Sequence, residues 1–147
     1  MNSEVEAKLY ATFAAVANSL GYSDVHGRII ASLISSKEPL SLEQIAKKSG
    51  YSLAAISLSL DLLEILGMIK KVKNPNDRKL YARIDCDILE GMRNAFLAKI
   101  QLAINSTTRE FERYKGGKNN ETIRILEKEV TRLRKYVGAL AKVPVPK

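Results

Sequence analysis

The sequence predicts a mainly α-helical chain interrupted by one small β-hairpin. Three observations carry that expectation. Apolar residues recur every three or four positions over most of the 147 residues. Two short helical patterns meet at a tight turn around Gly50. Directly after them come two β-rich runs joined by the turn sequence Asn74-Pro75-Asn76-Asp77. Two short helices on a tight turn followed by a hairpin make a winged helix-turn-helix, here flanked by further N- and C-terminal helices.

The elements follow in order. Ser3 with Glu6 is a capping-box pattern, and Val5, Leu9, Phe13, Val16 and Leu20 keep helical spacing up to Gly21, which predicts a helix over 4–20. Ser23 opens a second helix with Ile29, Ile30, Leu33 and Ile34 inward, stopped before Pro39. Ser41 and Gln44 form another capping box, with Leu42, Ile45 and Ala46 as the apolar face of a short helix that Gly50 ends. Ser52 caps the next helix, expected over 52–66, which buries Ile56, Leu60, Leu63 and Leu66 and ends at Gly67. The wing is expected over 68–84, with strands at 68–73 and 79–84.

Asp87 with Glu90 then opens a long helix to about Tyr114, with Ile88, Met92, Phe96, Ile100, Ala103, Ile104 and Phe111 as its apolar positions. The Gly pair in Lys115–Asn120 breaks it. A last helix is expected over 121–142, followed by an extended tail. The organisation is an N-terminal helix (1–20), a winged helix-turn-helix (21–86) and a C-terminal helical region (87–147).

Composition narrows the class. The net charge of +8 points to an anionic partner, usually nucleic acid. The excess is clustered. Lys70, Lys71, Lys73, Arg78, Lys79 and Arg83 face only Asp77 in the hairpin, and a second excess runs from Arg109 onward. One cysteine, Cys86, excludes an intrachain disulfide and a Cys-rich zinc site, and is expected to be a structural thiol. The single histidine, His26, is expected to be structural, and the neighbouring Arg28 to tie helices together. No nucleophile–base set, P-loop or paired-carboxylate site is visible, so no enzyme, metal or cofactor is expected. No apolar run is long enough to cross a bilayer, and the acidic first residues do not resemble a signal peptide, so a cytoplasmic protein is expected.

DNA binding needs cations for phosphates and side chains for base edges. The wing offers Lys70, Lys71 and Lys73 along one strand, with Arg78 and Lys79 at the turn, where an Arg suits a narrow minor groove. The alternative is that these cations protect a sheet edge and Arg78 pairs with Asp77. The helix over 52–66 holds no Lys or Arg. Opposite its buried stripe it offers Leu53, Ala54, Ala55, Ser57, Leu58, Ser59 and Asp61, suited to small polar and apolar contacts. Ser52 stands at a helix N-terminus, where backbone amides suit a phosphate, and Ser41 is a further candidate DNA contact. The alternative is that Leu53 and Leu58 mark a protein-binding face, as in an adaptor of transcription machinery.

In the last helix Ile123, Leu126, Val130, Leu133, Val137 and Leu140 form a heptad seam. It suits either packing against a second copy or folding back on its own domain. With Leu9 and Phe13 these are the candidate dimerisation residues.

The segment "EPLSLEQIAKKSGYSLAAISLSLDLLEILGMIKKVKNPNDRKLYARID", with helices on either side, resembles the MarR superfamily of winged-helix regulators. "GRIIASLISSKEPLSLEQIAKKSGYS" and "DRKLYARID" look closest to its GbsR-like branch. The resemblance implies a homodimeric transcriptional regulator that binds double-stranded DNA, with dimer contacts from its first and last helices. It places recognition-helix contacts on Ser52, Leu53, Ala55, Ser57 and Ser59, and the wing arginine on Arg78 supported by Asp77. It also implies a small-molecule effector, whose identity the sequence does not give. The chain departs from the GbsR-like pattern at Leu53 and Asp61, where many relatives carry basic residues.

Overall fold

A computed structural model describes residues 3–114 and 120–147. The chain is mainly helical with a small three-stranded antiparallel sheet. The order is α1 (Ser3–Ser19), α2 (Asp24–Ile34), β1 (Leu40–Ser41), α3 (Leu42–Ser49), α4 (Leu53–Ile65), β2 (Ile69–Lys73), β3 (Leu80–Ile84), α5 (Ile88–Tyr114) and α6 (Asn120–Leu140). The expected break falls on Lys115–Asn119, outside the described residues, and Asn120 opens α6. Two compact units divide within α5, after Gly91.

In the first unit α1 packs on α2 rather than standing apart as its own segment. The crossing is set by Gly27. A Cβ there would lie 2.1 Å from the carbonyl oxygen of Phe13 and 2.7 Å from the backbone nitrogen of Ala14. At that approach α1 presents the small Ala14, which with Tyr10 one turn earlier makes the buried line of the helix. The expected stripe is displaced: Val5 is exposed, and Leu9, Phe13, Val16 and Leu20 are half-buried. Ile34, expected inward, is exposed at the end of α2, where Ile29, Ile30, Ala31 and Leu33 fill the core. His26 has a structural task at the other end of α2: its Nδ1 accepts the Ser23 backbone N–H at 3.2 Å.

The helix-turn-helix forms as its caps dictate. Ser41 Oγ accepts the Gln44 N–H at 3.2 Å, and Gln44 Oε1 accepts the Ser41 N–H at 2.8 Å. Gly50 closes α3 at φ 81°, a left-handed conformation that a β-carbon disfavours. Ser52 Oγ accepts the Ala55 N–H at 3.2 Å and starts α4. Ile45, Ile56, Leu60 and Leu63 are buried beneath, while Leu66 is the half-buried C-cap residue of α4.

The sheet order is β1-β3-β2, so β2 is an edge. β1 has two residues, paired Leu40 with Ala82 and Ser41 with Tyr81. It is too short to show a period-two pattern, which is why the sequence announces only a hairpin. In the hairpin Ile69 pairs with Ile84 and Lys73 with Leu80. Alternation puts Ile69, Lys71 and Lys73 on one face of β2 and Lys70 and Val72 on the other.

At the start of α5, Asp87 Oδ1 accepts the N–H groups of Leu89 and Glu90 at 3.0 and 3.1 Å. In the second unit α5 and α6 form an antiparallel pair. Leu97 and Ile104 of α5 pack with Val137 of α6, joined by Ile100, Val130 and Leu140. Arg134 donates to the Thr108 hydroxyl at 2.9 Å, and Arg93 to the Val143 carbonyl. The inward line of α5 therefore passes through Leu97 rather than Phe96, which is 41% exposed.

Candidate nucleic-acid interface

The site is built on α4 and the β2–β3 wing. The wing turn, 74–79, is organised by two short side chains. Asn74 Oδ1 accepts the Asn76 N–H at 2.9 Å, and Asp77 Oδ1 accepts the Lys79 N–H at 3.0 Å. Backbone hydrogen bonds across the turn close it, with Arg78 N–H donating to the Asn74 carbonyl at 3.1 Å and Asn74 N–H to the Lys79 carbonyl at 3.3 Å. Arg78 sits at φ 59°, the only non-glycine residue described with positive φ. A non-glycine side chain there costs about 1 kcal/mol or more, so the turn holds Arg78 against its own preference.

Asp77 does not pair with Arg78. Its second oxygen accepts the Tyr81 hydroxyl at 2.5 Å. That hydrogen bond, then the Lys79 N–H, holds the Asp77 carboxyl below its ordinary value, and the same contact pushes the Tyr81 phenol up. Among the described residues the Arg78 guanidinium has no carboxylate partner, and neither do the ammonium groups of Lys70 and Lys73. Lys70, Lys73, Arg78 and Lys79 are exposed, so the wing presents a cationic edge and tip.

Two cations of the same run are already engaged. Arg83 Nη1 bonds Asp85 at 3.0 Å and the Ile84 carbonyl at 3.3 Å. Lys71, expected to lie with Lys70 and Lys73 toward DNA, turns to α4 instead. Its ammonium pairs with Asp61 and lies 3.8 Å from Glu64, and its backbone N–H donates to Glu64 Oε2 at 3.0 Å. The strand period sends Lys70 to the opposite face, while Lys73, on the same face as Lys71 but two residues further along, meets no carboxylate among the described residues. The linear sequence shows the lysine run but not the carboxylates that meet it.

On α4, Ser52, Leu53, Ala54, Ser57 and Leu58 are exposed and Ala55 is half-exposed. The Leu53 and Ala54 amides at the helix start make no hydrogen bond among the described residues, since the cap serves Ala55 and the Ser52 carbonyl serves Ile56. Two expected contacts are displaced. Ser59 is 6% exposed, because it falls beside Leu60 and Leu63 on the packed side of α4. Ser41 is 4% exposed, because the same hydroxyl that caps α3 lies in strand β1 against β3. Both side chains serve the fold, and neither offers a surface.

Elsewhere, Arg28 makes no ion pair among the described residues and lines a shallow hollow with Tyr10, Glu6, Lys47 and Lys48, so it does not tie helices through a carboxylate. Cys86 is half-buried, with its thiol toward the Met68 carbonyl at 3.6 Å and raised in pKa, by burial first and then by Asp87. Among the described residues no cluster of three metal-ligating side chains occurs, and no helix is long and apolar enough to cross a membrane.

The combination of capped helix-turn-helix and hairpin defines a winged-helix protein. The MarR family model matches residues 30–81, about a third of the chain. A crystal structure of a transcriptional regulator, 19% identical, has a TM-score of 0.66 and is matched over 93% of this chain and 96% of that one. Wild-type MarR from E. coli in its apo form is 18% identical, with a TM-score of 0.48 over 86% of this chain and 91% of that one. A mutant MepR from S. aureus bound to an oligodeoxyribonucleotide is 15% identical, with a TM-score of 0.48 over 93% of each chain. No curated protein matches the sequence.

Proposed function

We propose that the protein is a DNA-binding transcriptional regulator of the MarR type, in its GbsR-like branch, that binds duplex DNA as a homodimer. The observation that carries this is the wing: Lys70, Lys73, Arg78 and Lys79 are exposed, with Arg78 held in an unfavourable backbone conformation and free of Asp77. The wing lies on the phosphate backbone with Arg78 in the minor groove. α4 enters the major groove through Ser52, Leu53, Ala55 and Ser57, with the Leu53 and Ala54 amides toward a phosphate. Dimerisation uses the apolar side chains that the fold leaves exposed, Leu126 and Leu133 on α6 with Leu9 and Phe13 on α1 as further contacts.

Arg78→Ala with Lys79→Ala tests the wing. By fluorescence anisotropy the double variant should bind duplex DNA at least tenfold more weakly. Its salt slope should fall by about 1 to 2, since each phosphate no longer neutralised takes about 0.9 from the slope. Unchanged affinity and slope would remove the wing from the interface.

One observation favours a second reading. Leu58 is 74% exposed and Ile65 81% exposed, seven residues apart on one face of α4, and Leu53 is exposed separately at its start, apolar side chains suited to a protein partner in transcription machinery. Leu53→Asp would then abolish a protein complex while the wing variant left it intact.

A further inference from the structure

We infer that Lys71 is a positioning residue for DNA binding, a clamp that holds wing strand β2 to α4 and neutralises two carboxylates on the recognition helix. The inference rests on the DNA-binding reading above and deepens it. Asp61 and Glu64 stand three residues apart on α4 and are both substantially exposed, with side chains 54% and 43% accessible. They are the only carboxylates on α4. Left alone, they would repel the phosphates of any duplex that this helix enters.

Lys71 meets both. Its ammonium pairs with Asp61 and approaches Glu64 at 3.8 Å, while its side chain is only 22% exposed. The backbone adds a second tie. β2 is the sheet edge, and the N–H of Lys71, which points away from β3, donates to Glu64 Oε2 at 3.0 Å. One residue thus anchors the wing to α4 through main chain and side chain together. Lys70 and Lys73 lack any such partner among the described residues and remain available to phosphate. The cations of β2 divide into one that sets geometry and two that grip.

A double-mutant cycle of Lys71→Gln and Asp61→Asn in the full chain separates this role from a phosphate contact. Affinity for a duplex is read across a salt series, and thermal unfolding is read without DNA. Lys71→Gln should weaken binding about tenfold with the salt slope unchanged, while Asp61→Asn alone should change affinity by less than about threefold. The double variant should recover to within about threefold of wild type, since Asp61, the closer partner of the ammonium, is gone and Glu64 still accepts the backbone N–H of residue 71. The two substitutions should also be non-additive in melting temperature. A phosphate-contacting Lys71 would instead lower the slope by about 0.9, and Asp61→Asn would not rescue it; that result overturns the clamp. Additive losses with a normal wild-type affinity overturn the clamp and leave the DNA-binding reading standing. A wild type that binds no duplex overturns both, whatever the melting cycle shows.

Discussion

Gly27 shows how one residue fixes the packing of two helices. Its missing side chain lets α2 approach the Phe13 carbonyl so closely that a Cβ would lie at 2.1 Å. The backbone of α1 is the obstacle, and a helix backbone cannot swing aside as a flexible side chain can. Gly27→Ala should therefore destabilise the fold by about 3 kcal/mol in denaturant unfolding, although Ala is the better helix former. A stabilised variant would show that α1 and α2 do not cross so closely. Asp77 makes a second argument at this scale. Its folded pKa lies below the ordinary value, mainly through Tyr81, so the order it lends the wing turn is present above the unfolded value and is lost as pH falls through the lower, folded one. An NMR titration of the Lys79 amide should have its midpoint below the ordinary Asp range of about 3.9, and Tyr81→Phe should move that midpoint up. A midpoint indifferent to Tyr81→Phe would contradict the contact.

At the scale of elements, the last helix divides its heptad seam. Val130, Val137 and Leu140 pack on α5, and Ile123 is buried as well, while Leu126 and Leu133 stay exposed. Val137→Ala should accordingly lower stability by about 2 kcal/mol through the cavity it leaves against Leu97 and Ile104. Leu133→Glu should leave unfolding nearly unchanged and shift sedimentation toward monomer. A Leu133→Glu protein that sediments as wild type would remove this seam from the proposed assembly. Periodicity alone gave the helix and its apolar face but could not say which side met its own chain, because both solutions use the same spacing. Elsewhere the caps at Ser41 and Ser52 and the turn at Asn74–Asp77 were legible, since they depend on neighbours a few residues away. The two-residue strand β1, the clamp of Lys71 on Asp61 and Glu64, and the burial of Ser59 were not. Each depends on a partner brought near by the tertiary fold.

Taken as a whole molecule, the chain joins a winged helix-turn-helix unit to a helical pair, and its positive charge gathers at the wing and from Arg109 onward, while α4 carries no cation of its own. On the proposed reading, affinity and specificity rest on different elements: the wing neutralises phosphate, and α4 with Ser52, Leu53, Ala55 and Ser57 meets the bases. The measurement that tests this most directly is anisotropy of the purified protein on DNA from upstream of its own coding sequence and on a scrambled duplex of equal length, across a salt series. Preferential binding to the upstream DNA that persists as salt rises is the predicted result, because base contacts outlast the screening of phosphate contacts. Equal binding to both duplexes that collapses together with salt would contradict it, leaving a cationic wing without a reading helix.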